Sequence, residues 1–122
     1  MARDSDDRSA TPLPGRPVRG SATGRPIMAL LDLLGHRWTL RIIWELAQTP
    51  GPTFRGLQQR CDGVSSSVLA QRLAELGEAG IVHRTERGYA LTPDGQDLAT
   101  DLTRLHHWAD RWATRMQQRP LT

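Results

Sequence analysis

Apolar residues along the chain recur with helical spacing in most segments, and with alternation in one. Residues 1–25 are the exception: they are rich in Pro, Gly, Ser, Thr and charge and carry almost no apolar periodicity. Such a stretch buries too little surface to offset the entropy of ordering it, so the composition predicts a flexible arm over 1–25. IMALLDLLG at 27–35 predicts a short apolar helix, opened by Pro26 in its first turn and stopped by Gly35. TLRIIWELAQ at 39–48 predicts a second helix, with Thr39 as N-cap and Leu40, Ile43, Trp44 and Ala47 as its buried stripe. TPGP at 49–52 ends it. TFRGLQQRC at 53–61 predicts a third helix with Phe54, Leu57 and Cys61 on one face, and DGV is a turn.

The next stretch reads VSSSVLAQRLAELGEAGIV over 64–82. Leu69, Leu73 and Leu76 give a helix over 65–79 its buried face, with Ser65 as cap and Gly80 as stop. IVHRTER at 81–87 alternates as a strand does, Arg87-Gly88 is a tight turn, and YALT at 89–92 returns as a second strand. Thr92-Pro93-Asp94-Gly95 opens a last helix that runs to about Gln118. On it Leu98, Leu102, Leu105, Ala109, Trp112 and Met116 recur in steps of four and three, an a/d seam. Asp94, Asp97 and Asp101 lie toward its start, and Arg104, Arg111, Arg115 and Arg119 toward its end, which complements the helix dipole.

Charge and composition narrow the function classes without deciding among them. The chain has 122 residues and a formal net charge of +3, with every basic residue an Arg. That balance permits a nucleic-acid partner and does not demand one, so any basic surface must come from arrangement. The length suits one domain, taken as 26–118. No apolar run is long enough to span a membrane, and the N-terminus lacks the apolar stretch of a secretory signal. The single Cys excludes an internal disulfide framework and a Cys-rich zinc site. His106 and His107 are adjacent, and His36 and His83 are isolated, so no metal site is expected. Neither paired carboxylates, nor a nucleophile elbow, nor a Gly-rich phosphate loop is present, so no catalytic residue and no cofactor are expected. A cytoplasmic protein of bacterial type is the expectation.

Order of elements carries more information than any single motif. Two short helices, a three-residue turn and a β-hairpin directly after the second helix form a winged helix-turn-helix pattern. The expected fold class is mainly α with this small hairpin. Helix 53–61 would cross the DNA backbone, helix 65–79 would lie in the major groove, and hairpin 81–92 would be the wing. Ser67, Val68, Gln71, Arg72 and Glu75 are then expected to face outward. Gln71 can pair with adenine, and Arg72 with guanine or a phosphate. Ser65, Ser66 and Ser67, with the free amides of the first turn, suit a phosphate. The bland alternative makes Arg72–Glu75 a solvated ion pair worth a few tenths of a kcal/mol, about what such pairs contribute on helix surfaces. Arg37, Thr39 and Arg41 near the opening of the second helix, Arg55 at the opening of the third, and Arg84 and Arg87 of the wing are further phosphate candidates. The arm is either inert or an Arg-bearing segment that follows a groove.

DLLGHRWTLRIIWEL, TFRGLQQ, VSSSVLAQRLAELGEAGIVHR and YALTPDGQDL together resemble the HxlR family of bacterial transcriptional regulators, over about residues 24–115. Matching positions include Gly35, Trp38, Thr39 and Leu40, then Phe54 and Leu57, then Ser65, Leu69, Gln71, Arg72, Leu73, Glu75 and Leu76, and finally Leu91, Thr92 and Gly95. The resemblance implies a homodimeric winged-helix DNA-binding protein, paired largely through its terminal helices, including the last helix from about 94 to 118. It also implies control of a nearby operon, often in response to redox stress or a small reactive molecule.

Three departures matter. The family's redox cysteine commonly precedes a Pro at the start of the first helix, and here Arg25 precedes Pro26. Cys61 stands where the family usually has Leu and is read as a small core residue. Ser66 and Ser67 replace a Pro and a basic residue, and Gln58 and Gln59 replace basic residues, so a shallower salt dependence is expected. The wing is short.

Trp38 and Trp44 are read as core. Trp108 and Trp112 share one helix face and suit either dimer packing or an aromatic-lined pocket for a planar ligand. The combined reading is a homodimeric repressor that binds double-stranded DNA at a pseudo-palindromic operator, with a small-molecule effector as a further partner and no membrane. The competing reading is a winged-helix protein-interaction module with no DNA role.

Overall fold

A computed structural model describes residues 10–120. The order of elements is α1 (Pro26–Leu34), α2 (Thr39–Gln48), α3 (Phe54–Arg60), α4 (Ser66–Glu78), β1 (Val82–Arg84), β2 (Tyr89–Leu91) and α5 (Pro93–Gln118). The expected elements are all present. Ser65 caps α4 by accepting a hydrogen bond from the Val68 amide, and Thr92 caps α5 through the Gly95 amide.

The core is one cluster gathered from every element. Ile42, Leu57, Cys61, Leu69 and Leu76 are fully buried in it, and Leu33, Ile43, Leu46, Leu73, Val82 and Leu91 nearly so. Burying each large aliphatic side chain contributes roughly 1.5–3 kcal/mol, so this cluster holds the unit together. Leu98 and Leu102 attach the first half of α5 to the same cluster.

Strands β1 and β2 pair antiparallel, Val82 opposite Leu91 and Arg84 opposite Tyr89. The connection spans Thr85 to Gly88 and is closed by the Gly88 amide on the Thr85 hydroxyl at 3.0 Å. The Tyr89 amide donates to the Pro52 carbonyl at 3.0 Å, which fastens the hairpin to the α2–α3 loop. Gly88 is required there, because a Cβ at this position would overlap the Pro52 carbonyl.

Three features differ from the sequence expectation. First, residues 10–25 of the expected flexible arm form a hydrogen-bonded strap; residues 1–9 lie outside the described part. Val18 and Ser21 exchange backbone hydrogen bonds at 3.0 and 3.1 Å around the two-residue tip Arg19-Gly20. The Arg19 amide donates to Asp32 of α1 at 3.0 Å, and the Arg16 guanidinium donates to the Thr11 carbonyl and to Glu78 at the end of α4. The Thr11 hydroxyl and then Arg16 hold the Glu78 carboxyl below its ordinary range. Backbone and side-chain hydrogen bonds order this segment, which is why its low hydropathy misleads.

Second, α2 presents Thr39, Ile42, Ile43 and Leu46 to the core, not the expected stripe of Leu40, Ile43, Trp44 and Ala47. Leu40 and Trp44 are 49% and 39% exposed. Third, the α1–α2 corner is made by Trp38, whose φ of 77° is left-handed, while Gly35 keeps right-handed geometry. Holding a large residue there costs on the order of 1–3 kcal/mol, which the packing of the Trp38 ring against the core must offset. Trp38, not Thr39, therefore occupies the N-cap position of α2. The apolar face of α5 is covered only at its start: Leu105, Trp108, Trp112 and Met116 are 60%, 47%, 49% and 43% exposed.

Candidate nucleic-acid interface

The exposed face of α4 is narrow and built from small residues. Ser66, Ser67, Ala70, Gln71, Ala74, Gly77 and Glu78 point outward. At about 100° per residue these positions form one stripe opposite Leu69, Leu73 and Leu76. Short side chains let another surface approach the helix backbone closely, and Gln71 is the long polar group in the middle of the stripe. Ser66 and Ser67 lie in the first turn beside the cap Ser65, whose hydroxyl is 3.4 Å from that of Ser67.

Arg72 and Glu75, expected to face outward with Gln71, turn toward the α1–α2 corner. The Arg72 guanidinium donates to the Arg37 carbonyl at 2.8 Å and to Glu75 at 3.3 Å. The Glu75 side chain is 5% exposed and that of Arg72 is 16% exposed. Glu75 also meets His36 Nδ1 at 3.1 Å, and His36 Nε2 lies 3.8 Å from Asp32. This is a part-buried polar network joining α1, the corner and α4. It corrects the solvated-pair reading as well, since the pair is sheltered. The buried face of α4 is the expected one, Leu69, Leu73 and Leu76, and Glu75 with Arg72 extends it toward the α1–α2 corner.

Two clefts border the exposed stripe. On one side, Ala70, Ala74 and Gly77 of α4 face His83, Arg84 and Tyr89 of the hairpin across a cleft of about 290 Å³. The Arg84 guanidinium lies over the Tyr89 ring, 5.6 Å from its centroid. On the other side, Gln71 and Arg72 face Arg37 and the strap residue Arg19 across a cleft of about 650 Å³. Arg37 is exposed and lies over Trp38 at 5.8 Å.

The remaining expected phosphate contacts divide. Arg55 at the start of α3 and Arg87 at the hairpin turn are exposed, but neither lines these clefts. Arg41 is held by Glu45 at 2.9 Å, the Arg60 carbonyl at 2.7 Å and Asp62 at 3.8 Å, so it braces α2 against α3. Thr39 is fully buried, and its hydroxyl has no hydrogen-bond partner among the described residues; it cannot reach a phosphate. Sequence reasoning missed Ala70, Ala74 and Arg19. The first two were legible, since Ala70 stands three residues after Ser67 and Ala74 three after Gln71; Arg19 carried no periodic signal.

A second surface lies between α2 and α5. Leu40, Trp44 and Ala47 face Leu102, Leu105 and His106 across a groove of about 360 Å³. The Trp44 and His106 rings are 5.3 Å apart, and Trp108 and Trp112 stack at 5.9 Å further along α5. The Cys61 thiol is fully enclosed, and burial pushes its pKa up, so it stays protonated at neutral pH. Among the described residues no group of His, Cys, Asp and Glu gathers in a way that could hold a metal ion. No helix of the described chain is long and apolar enough to cross a membrane.

The model of the HxlR-like helix-turn-helix family matches residues 33–117, which include α2 to α4, the hairpin and most of α5. The chain belongs to this family. It is therefore a winged helix-turn-helix transcriptional regulator and not an enzyme. The HTH-type transcriptional regulator YvaP of Bacillus subtilis is 30% identical over 89 residues, covering 67% of this chain and 82% of the relative. The regulator Rv3095 of Mycobacterium tuberculosis is 30% identical over 105 residues, covering 80% of this chain and 65% of the relative. Among solved structures, quinone-bound YodB from B. subtilis superposes with a TM-score of 0.65 at 32% identity, covering 70% of this chain and 96% of that one. In this fold α3 and α4 are the two helices of the helix-turn-helix, and the hairpin is the wing.

Proposed function

We propose that the protein is a homodimeric, sequence-specific DNA-binding repressor that acts on a pseudo-palindromic operator. The observation that carries this reading is the exposed stripe of α4, on which Gln71 is the one long uncharged polar group, between two clefts that are both lined by arginine. Gln71 reads a base edge, and Ala70 and Ala74 admit close approach or meet a thymine methyl. Ser65, Ser66, Ser67, Arg37, Arg84 and, more peripherally, Arg55 and Arg87 serve phosphates. Arg72 keeps its register role toward Arg37 and Glu75. The dimer forms through the uncovered seam of Leu105, Trp108, Trp112 and Met116, because a monomer seldom leaves so many large apolar side chains in water. Two copies of α4 then stand about one DNA turn apart.

A small planar ligand fits the Trp44 and His106 edge of the α2–α5 groove, and the bound quinone of the similar YodB supports that class. It would act by shifting α5, and so the spacing of the two α4 helices. Sensing does not run through the family cysteine, since Arg25 stands there, and Cys61 is enclosed.

A mobility-shift assay on the protein's own upstream intergenic DNA tests the reading. Gln71→Ala should weaken binding about tenfold or more and relax preference at one base position in each half-site, as losing a bidentate base contact does. Unchanged affinity and preference would remove α4 from the interface. Wild-type binding that ignores salt would favour the protein-interaction module, for which the exposed apolar groove is the supporting feature.

A further inference from the structure

The wing is one of two hairpins beside α4. The other is the strap turn Val18–Ser21, with Arg19-Gly20 at its tip. Its backbone is pinned by the Arg19 amide on Asp32, and its far end by Arg16 on Glu78 and Thr11. Gly24 closes the strap, and a Cβ there would overlap the Arg16 backbone. Residues 10–25 contain three Arg and no acidic residue. Arg16 is engaged with Glu78, whereas Arg19 is exposed and lines the same cleft as Gln71 and Arg37.

Helix geometry places this cleft relative to α4. Positions 70, 74 and 77 border the wing cleft, and positions 71, 72 and 75 border the strap cleft. At about 100° per residue the exposed stripe falls between those two edges. A duplex seated on the stripe would thus meet Arg84 on one side and Arg37 with Arg19 on the other.

We propose that the strap is a second, smaller wing, and that Arg19 is a DNA phosphate contact which extends the interface beyond α4 on the side opposite the hairpin. This rests on the DNA-binding reading above and adds a contact outside residues 33–117, the part that the family model matches. The contact neutralises charge without reading bases. Because the turn is ordered before binding, Arg19 needs only its own side chain to be fixed.

The test compares wild type, Arg19→Ala, Arg19→Lys and Gln71→Ala on the upstream intergenic duplex from 50 to 200 mM salt. Arg19 is exposed, so its substitution leaves the core intact. Arg19→Ala should reduce the slope of log affinity against log salt by about 0.9 per bound protomer, with sequence preference unchanged, and Arg19→Lys should restore most of the slope. Across that fourfold range the wild type then loses roughly three- to fourfold more affinity per protomer than Arg19→Ala does. An Arg19→Ala slope equal to wild type, while Gln71→Ala still weakens binding, would overturn the strap contact and leave the α4 reading standing. No effect of either variant would remove both.

Discussion

Helices α4 and α5 both carry an apolar face at helical spacing, yet the protein covers one completely and the other by less than half. In α4, Leu69, Leu73 and Leu76 all reach the core, and what remains outside is small or polar. In α5, Leu98 and Leu102 reach it, and from Leu105 onward the seam stands in solvent. Periodicity identifies the face of a helix that avoids water. It does not say whether the same chain or another one supplies the cover. α4 completes a domain, while the second half of α5 is a surface in search of its complement.

The largest effect that would sharpen this contrast is Leu76→Ala. It opens a cavity in a site with no exposure and should destabilise the fold by about 2–5 kcal/mol, read as a lower urea midpoint at unchanged slope. A loss near zero would mean that α4 is not held by its apolar face. Trp112→Asp should leave the fold intact and instead dissociate the proposed dimer. A loss of about 2 kcal/mol or more at an aromatic hot spot weakens association roughly thirtyfold, and sedimentation at micromolar protein should shift from dimer toward monomer mass. An unchanged mass would place the dimer elsewhere and break the comparison. The smallest effect is expected from Arg72→Ala, which strips Glu75 of one partner while His36 remains. A stability loss of about 1–2 kcal/mol with little change in base preference would confirm Arg72 as a brace beside Gln71, the proposed base contact. A specificity change without a stability loss would reverse those roles.

Much of the fold was legible because local rules and global packing agree in α4 and the hairpin. Ser65 caps, Gly80 stops, the leucines face inward, and the alternation of 81–92 becomes a paired β1 and β2. α2 was misread because TLRIIWELAQ is apolar on two sides. Both the 39, 42, 43, 46 set and the 40, 44, 47 set satisfy helical spacing, and only tertiary packing chooses between them. Trp44 accordingly moved from the core to a groove wall. The strap was illegible for a different reason. Its order comes from Asp32 and Glu78, contributed by distant elements, and from glycine-permitted turns, none of which leaves a hydrophobic signature. Of the candidate site, the serines, Gln71, Arg37 and Arg84 are exposed on α4 or along the clefts beside it. Thr39, Arg41 and Arg72 are not so placed, because each finds a role inside the protein first.

The junction of Tyr89 and Gly88 with Pro52 has a thermodynamic side. A loop that hangs free must surrender its own conformational entropy on docking, and affinity falls by that amount. This hairpin has already made the surrender during folding, at its base, by welding itself to the loop between α2 and α3. What it offers a ligand is a preset angle between the hairpin and α4. Adjusting to a target then requires displacement of whole bodies.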